Sequence, residues 1–150
     1  MGVYADKAKS LFLEGYNCSQ AVVGAFHDKM GLDFETAIKL SSSFGGGMGR
    51  LREVCGAVSG MFMVVGAMYG YTDTSDNKAK AKHYELIQNL AKKFSDKNGY
   101  IVCRDLLGLA EGKDNPTPSE RTKQYYERRP CAEYVYDAAL ILEEYIESVK

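Results

Sequence analysis

The chain has no tryptophan, three prolines among 150 residues, two histidines and no Cys-x-x-Cys pair. Each shortage removes a class of explanation. Few prolines leave long stretches free to be helical. Without Cys-x-x-Cys, neither a thioredoxin-type motif nor a zinc ribbon is available. His27 and His83 stand alone among polar neighbours and read as solvated, and no Ser/His/Asp or paired-carboxylate arrangement stands out. An excess of charge is missing as well. Basic residues number 19 and acidic residues 20, for a net −1, which argues against nucleic-acid or anionic-membrane binding through bulk electrostatics. The longest apolar run, Ala57 to Tyr69, is too short to span a bilayer. The stretch from Met1 to Lys9 lacks the basic start and apolar core of a signal peptide, and Asp6 breaks the myristoylation pattern. These absences predict a cytoplasmic protein with no membrane insertion and no nucleic-acid partner.

What is present is helical periodicity. Tyr4, Ala8, Leu11 and Phe12 share one face, and Gly15 ends that helix. Asn17 caps a second helix with the stripe Cys18, Ala21, Val22, Ala25 and Phe26; Asp33 caps a third. From Ala57 to Tyr69 only Ser59, Gly60 and Gly66 interrupt the apolar residues, so the run reads as a buried central helix with Cys55 at its amino end. Tyr84, Ile87, Ala91 and Phe94 predict a long helix ending near Asn98 and Gly99. A short helix begins near Cys103, and Gly112 to Asn115 reads as a loop. Thr117-Pro118-Ser119-Glu120 has the form of a capping box with proline at the first helical position. The last helix carries the stripe Cys131, Val135, Ala138, Leu142, Tyr145 and Val149, with Glu143, Glu144 and Glu147 on a solvated face. Short connections and the absence of a linker predict one all-α domain over residues 1–150, an antiparallel helical bundle around the central helix.

The four cysteines carry the chemistry. Cys18, Cys55, Cys103 and Cys131 each fall in the first turn of an expected helix and head its inward stripe. Helix amino termini offer unpaired N–H groups and a positive dipole end, both of which favour thiolate. Arg50 and Arg52 precede Cys55, Arg104 follows Cys103, and Arg128 and Arg129 precede Cys131; Cys18 has no near cation in sequence. One such cysteine alone reads as a small buried hydrophobe. The same placement four times, three of them beside arginine, favours a shared thiol site. Cys55, with its basic and glycine-rich approach, is the expected reacting partner. The cluster Gly45, Gly46, Gly47 and Gly49 fails both nucleotide-binding patterns, since Arg50 stands at the third glycine of GxGxxG and no Gly-Lys-Ser/Thr follows. It reads either as a turn into a tightly packed helix or as a backbone nest for an anion or cluster sulfur beside Cys55. Gly56 and Gly60 read as sites of close helix packing.

The central motif Cys55-Gly56-Ala57-Val58-Ser59-Gly60, with Cys18 before it and Cys103 and Cys131 after it, resembles the redox-active proteins known by the cysteine pattern C–GCAxxG–C–C. The glycine-rich lead-in from Phe44 to Arg50 resembles them too, and the resemblance covers nearly the whole chain. It implies a redox or electron-transfer role for the four cysteines, a redox partner linked to a transport system, and homodimerisation. By analogy with related domains it also implies a bound iron–sulfur centre. The cysteines are then candidates for a dithiol/disulfide couple or for the ligands of such a centre, with Gly45, Gly46, Gly47, Gly49 and Gly56 beside it; iron–sulfur clusters accept widely spaced thiolates. Two other readings stay open: a non-catalytic zinc site, since zinc accepts four thiolates, and an interaction module whose cysteines only pack.

Overall fold

The computed structural model describes residues 2–109 and 113–150, and among them the fold is all-α. Eight α-helices follow one another: α1 (Val3–Leu13), α2 (Cys18–Ala25), α3 (Phe34–Ser41), α4 (Gly56–Tyr69), α5 (Asn77–Asn98), α6 (Cys103–Leu106), α7 (Lys123–Arg128) and α8 (Cys131–Ser148). No described helix is long and apolar enough to cross a membrane.

Local chemistry fixes most helix starts. Asn17 and Gln20 form a reciprocal capping box at α2, and Asp33 and Asp76 cap α3 and α5 by accepting the N–H groups of Thr36 and Ala79. The start of α1 is capped from a distance. The Glu143 carboxylate of α8 accepts N–H groups from Gly2 at 2.8 Å, Tyr4 at 2.7 Å and Ala5 at 2.9 Å. Glu143 therefore does not belong to a solvated face: those unpaired N–H groups and the helix dipole draw a carboxylate inward.

One core joins the helices. α1 packs Ala5, Ala8, Leu11 and Phe12 against α2 and α8. Helix α2 meets α1, α3, α4 and α8, and everything from Ser19 to Ala25 except Gln20 is buried. It is as central as α4. Helix α4 is buried from Gly56 to Met61 and again at Val64 and Val65, while Phe62, Met63, Met68 and Tyr69 are half-buried and Ala67 is exposed. Close approach of α2 and α4 depends on glycine: a Cβ on Gly60 would stand 3.1 Å from the Ser19 carbonyl oxygen and the Val22 Cβ.

Two expected elements differ. In α5 the buried residues are Leu90 and Phe94, whereas Tyr84 is 50% exposed, because the first turns of this helix extend past the core. Thr117 to Glu120 forms no helix; α7 starts six residues after Thr117, at Lys123, where the Thr122 hydroxyl accepts the Tyr125 N–H at 3.2 Å. The preceding segment is held instead by Arg50, whose Nη1 reaches the Ser119 hydroxyl at 3.4 Å. The start of the loop expected over 112–115, Gly112, lies outside the described residues, as does the side chain of Arg128.

Candidate functional site

Each cysteine opens a helix. Cys18, Cys103 and Cys131 are the first residues of α2, α6 and α8, and Cys55 is the N-cap of α4. All four line one cavity of about 400 Å³, and no disulfide links them.

Backbone pairing brings Cys55 and Cys103 together. An antiparallel bridge joins Val54 to Val102. The Cys55 N–H donates to the Ile101 carbonyl at 2.8 Å, and the Cys103 N–H donates to the Glu53 carbonyl. Helix packing brings in the other two. A Cβ on Gly56 would lie 3.1 Å from the Cys18 Cβ, so only glycine lets the start of α4 sit this close to the start of α2. Cys18 and Cys131 both face this cavity, and each thiol shifts the protonation of the other.

The glycine stretch is not a flexible turn. Gly46, Gly47, Met48, Gly49 and Arg50 run consecutively at φ between 66° and 71°, and Arg52 follows at 60°. Five successive left-handed residues make a left-handed helical turn, closed by the Gly49 N–H to the Gly45 carbonyl at 2.9 Å. For the three non-glycine residues this conformation costs about 1–2 kcal/mol each. Salt bridges hold it. Asp114 Oδ2 receives Arg50 Nη2 and Arg52 Nη2, both at 3.1 Å, and the Asn115 carbonyl accepts from Arg50 Nε at 2.7 Å. Gly45, Gly46, Gly47 and Gly49 all line the cavity, as does Gly56.

The electrostatics separate the cysteines. Burial pushes the Cys55 thiol up to about 12, although the Ala57 and Val58 N–H groups at its helix start pull the other way. Arg50 and Arg52 do not serve Cys55. Arg52 donates from Nη1 to Cys103 Sγ at 3.6 Å, while burial still leaves the Cys103 thiol raised. The thiolate character falls to Cys131. The neighbouring Cys18 thiol holds it below the ordinary thiol range, and Arg129, Arg121 and Arg52 add to that against its burial. Cys131, with burial, keeps Cys18 protonated well above that range. Sequence proximity places Arg129 beside the right sulfur, Cys131, whereas Arg52, expected beside Cys55, serves Cys103; the lowered thiol is Cys131 and the raised one Cys55.

Several cavity residues carried little signal in the sequence. Arg121 stacks over the Phe12 ring at 4.2 Å and donates to the Phe12 and Tyr16 carbonyls at 2.9 and 3.0 Å. Its one clue is its place four residues before Tyr125, whose ring it also faces at 5.3 Å. Arg129 faces that ring from 5.7 Å. The Tyr134 hydroxyl donates to the Leu106 carbonyl at 3.3 Å, so Tyr125 and Tyr134 form cavity wall here.

Among the described residues no three His, Cys, Asp or Glu side chains are arranged to hold a metal ion. The four sulfurs line the cavity, with Cys103 facing Arg52.

The fold and its cavity make this a helical protein with four cysteines gathered at helix starts. The family model described as "Putative redox-active protein (C_GCAxxG_C_C)" matches residues 16–145, and the chain belongs to that family. No curated protein and no solved structure matches the chain.

Proposed function

We propose that the protein is a cytoplasmic dithiol–disulfide redox protein in which Cys131 is the attacking thiolate and Cys18 the resolving thiol. What supports this reading is that Cys18 and Cys131 line one cavity, and that the Cys18 thiol is raised and the Cys131 thiol lowered by one another. The Cys131 thiolate attacks one sulfur of an oxidised partner's disulfide, forming a mixed disulfide and expelling one thiolate. The Cys18 thiol gives its proton to that thiolate. Its own sulfur then attacks Cys131 Sγ, expels the second thiolate and closes a Cys18–Cys131 disulfide. Two electrons leave the cysteine pair and reduce the substrate disulfide, and a reduced dithiol partner reverses the sequence.

Arg129, Arg121 and Arg52 stabilise the Cys131 thiolate in this scheme. Cys103 accepts the Arg52 hydrogen bond, and Cys55 stays a buried thiol at the base of α4. Mixed-disulfide trapping tests the assignment. Cys18→Ser should accumulate a stable mixed disulfide on Cys131 when given a small disulfide, and Cys131→Ser should accumulate none at neutral pH. Trapping on Cys55 or Cys103 in both variants would contradict it.

A further inference from the structure

The thiol cavity is strongly one-sided in charge. Its lining holds four guanidinium groups, Arg50, Arg52, Arg121 and Arg129, and no carboxylate among the described residues. The chain as a whole is balanced at −1. Asp114 is the carboxylate that pairs with Arg50 and Arg52. Among the described residues no carboxylate lies within ion-pair distance of Arg121 or Arg129. Four cations against Asp114 and the Cys131 thiolate leave a net positive charge facing a concave, largely apolar space.

Arg52 points to what fills that space. Its residue is 2% exposed, Nη1 and Nη2 are engaged by Cys103 and Asp114, and Nε is buried with no hydrogen-bond partner among the described residues. A buried N–H left unmatched is rare in native proteins and asks for an acceptor. Its backbone is held at a φ of 60°, so this side chain is presented from a strained left-handed position that Asp114 and the Arg50 contacts maintain. Arg121 is held by neutral carbonyls and aromatic faces, which orient a cation without cancelling its charge.

We infer that the cavity is an anion-selective substrate pocket, and that the disulfide reduced by Cys131 is a small molecule bearing carboxylates, held by Arg52 together with Arg121 and Arg129. This rests on the dithiol reading above and gives that reading a substrate class. About 400 Å³ suits a low-molecular-weight ligand. The tyrosine and leucine walls, Tyr125, Tyr134, Leu106 and Leu107, take its apolar body. The exchange is the one already written: the substrate disulfide gains two electrons and leaves as two thiols, and the cysteine pair closes.

Two disulfides of opposite charge test this. The reduced protein is mixed at low salt with the dianionic aromatic disulfide dithiobis(nitrobenzoate) and with the dication cystamine. Each rate on Cys131 is divided by the rate on the same protein unfolded in urea, which removes intrinsic reactivity. The normalised anion-to-cation ratio should be at least about tenfold, as expected for a cleft lined by one sign of charge. It should collapse toward unity at about 1 M salt, where screening acts within about 3 Å. Arg129→Gln and Arg121→Gln should each lower the ratio, and the salt dependence of the unaltered protein decides the matter even if an Arg52→Gln variant fails to fold. A ratio near unity that ignores salt, with Cys131 still reactive, would overturn the anion pocket and leave the dithiol reading standing. Failure of Cys131 to react with either probe would overturn both.

Discussion

Replacing Gly47 by alanine should damage the site far more than the same change at Gly46 or Gly49, although all three glycines sit at nearly the same positive φ. Gly46 is at 69°, Gly47 at 71° and Gly49 at 66°. An alanine at any of them carries the left-handed penalty of about 1–2 kcal/mol. What differs is the space. A Cβ at Gly49 would meet its nearest neighbour, the Ser43 carbonyl oxygen, at 3.9 Å, an ordinary contact. At Gly46 it would meet the flexible Arg50 Cγ at 3.0 Å. At Gly47 it would lie 2.7 Å from both the Arg52 Cα and the Cys103 Cβ, and 2.8 Å from the Glu53 nitrogen. Two of those atoms are backbone in the bridge that aligns Cys55 with Cys103, so relief requires moving the bridge. Overpacking of this kind adds about 1–3 kcal/mol, for a total near 3 kcal/mol. For a chain of this length each kcal/mol lowers Tm by about 2–4 °C. Thermal unfolding should therefore show Gly47→Ala falling by roughly 6–12 °C and the other two by about half as much or less. Equal losses at all three positions would refute the close approach of the left-handed turn to Cys103.

Three further outcomes follow from the structure. Alkylation of Cys131 should persist below the ordinary thiol range and fall away only as the pH drops through its lowered folded value. In Cys18→Ala that midpoint should move upward, because the neighbouring Cys18 thiol is the first cause of the lowering; peptide mapping across pH reads both, and an unmoved midpoint would remove that cause. Mapping should also find Cys55 resistant at neutral pH, since burial pushes it to about 12. Glu143→Ala should cost about 2 kcal/mol by removing the acceptor of three N–H groups. Amide exchange should then rise at Tyr4 and Ala5, and protection equal to that of the unaltered protein would contradict the remote cap.

Much of the fold was legible because it is written locally. The apolar stripes of α1 and α2, that of α8 from Cys131 to Leu142, beyond which Ile146 is buried in place of the expected Tyr145 and Val149, the Asn17 and Asp33 caps, and the four cysteines at helix starts depend on near neighbours in the chain. What failed to show depends on distant ones. Thr117 to Glu120 has the right letters for a helix start, yet Arg50, 69 residues away from Ser119, holds that segment. Glu143 looked solvated because its partners lie 138 to 141 residues away. Two cations near a cysteine in sequence belong elsewhere in space, unlike Arg129 beside Cys131: Arg52 reaches Cys103, 51 residues on, and Arg104 pairs with Glu53 at 2.7 Å. The left-handed turn was half visible, since a glycine cluster permits positive φ. Its extension through Met48, Arg50 and Arg52 was hidden, because Asp114 and Asn115 maintain it and neither is near in sequence.

Equilibrium oxidation decides whether Cys18 and Cys131 form the redox couple. The reduced protein is equilibrated with mixtures of reduced and oxidised dithiothreitol, quenched by alkylation, and digested so that each disulfide is assigned by mass. The expected result is one reversible two-electron transition whose oxidised form carries a Cys18–Cys131 disulfide while Cys55 and Cys103 remain thiols. A transition that links Cys55 to Cys103, or a protein that forms no internal disulfide at any poise, would contradict it.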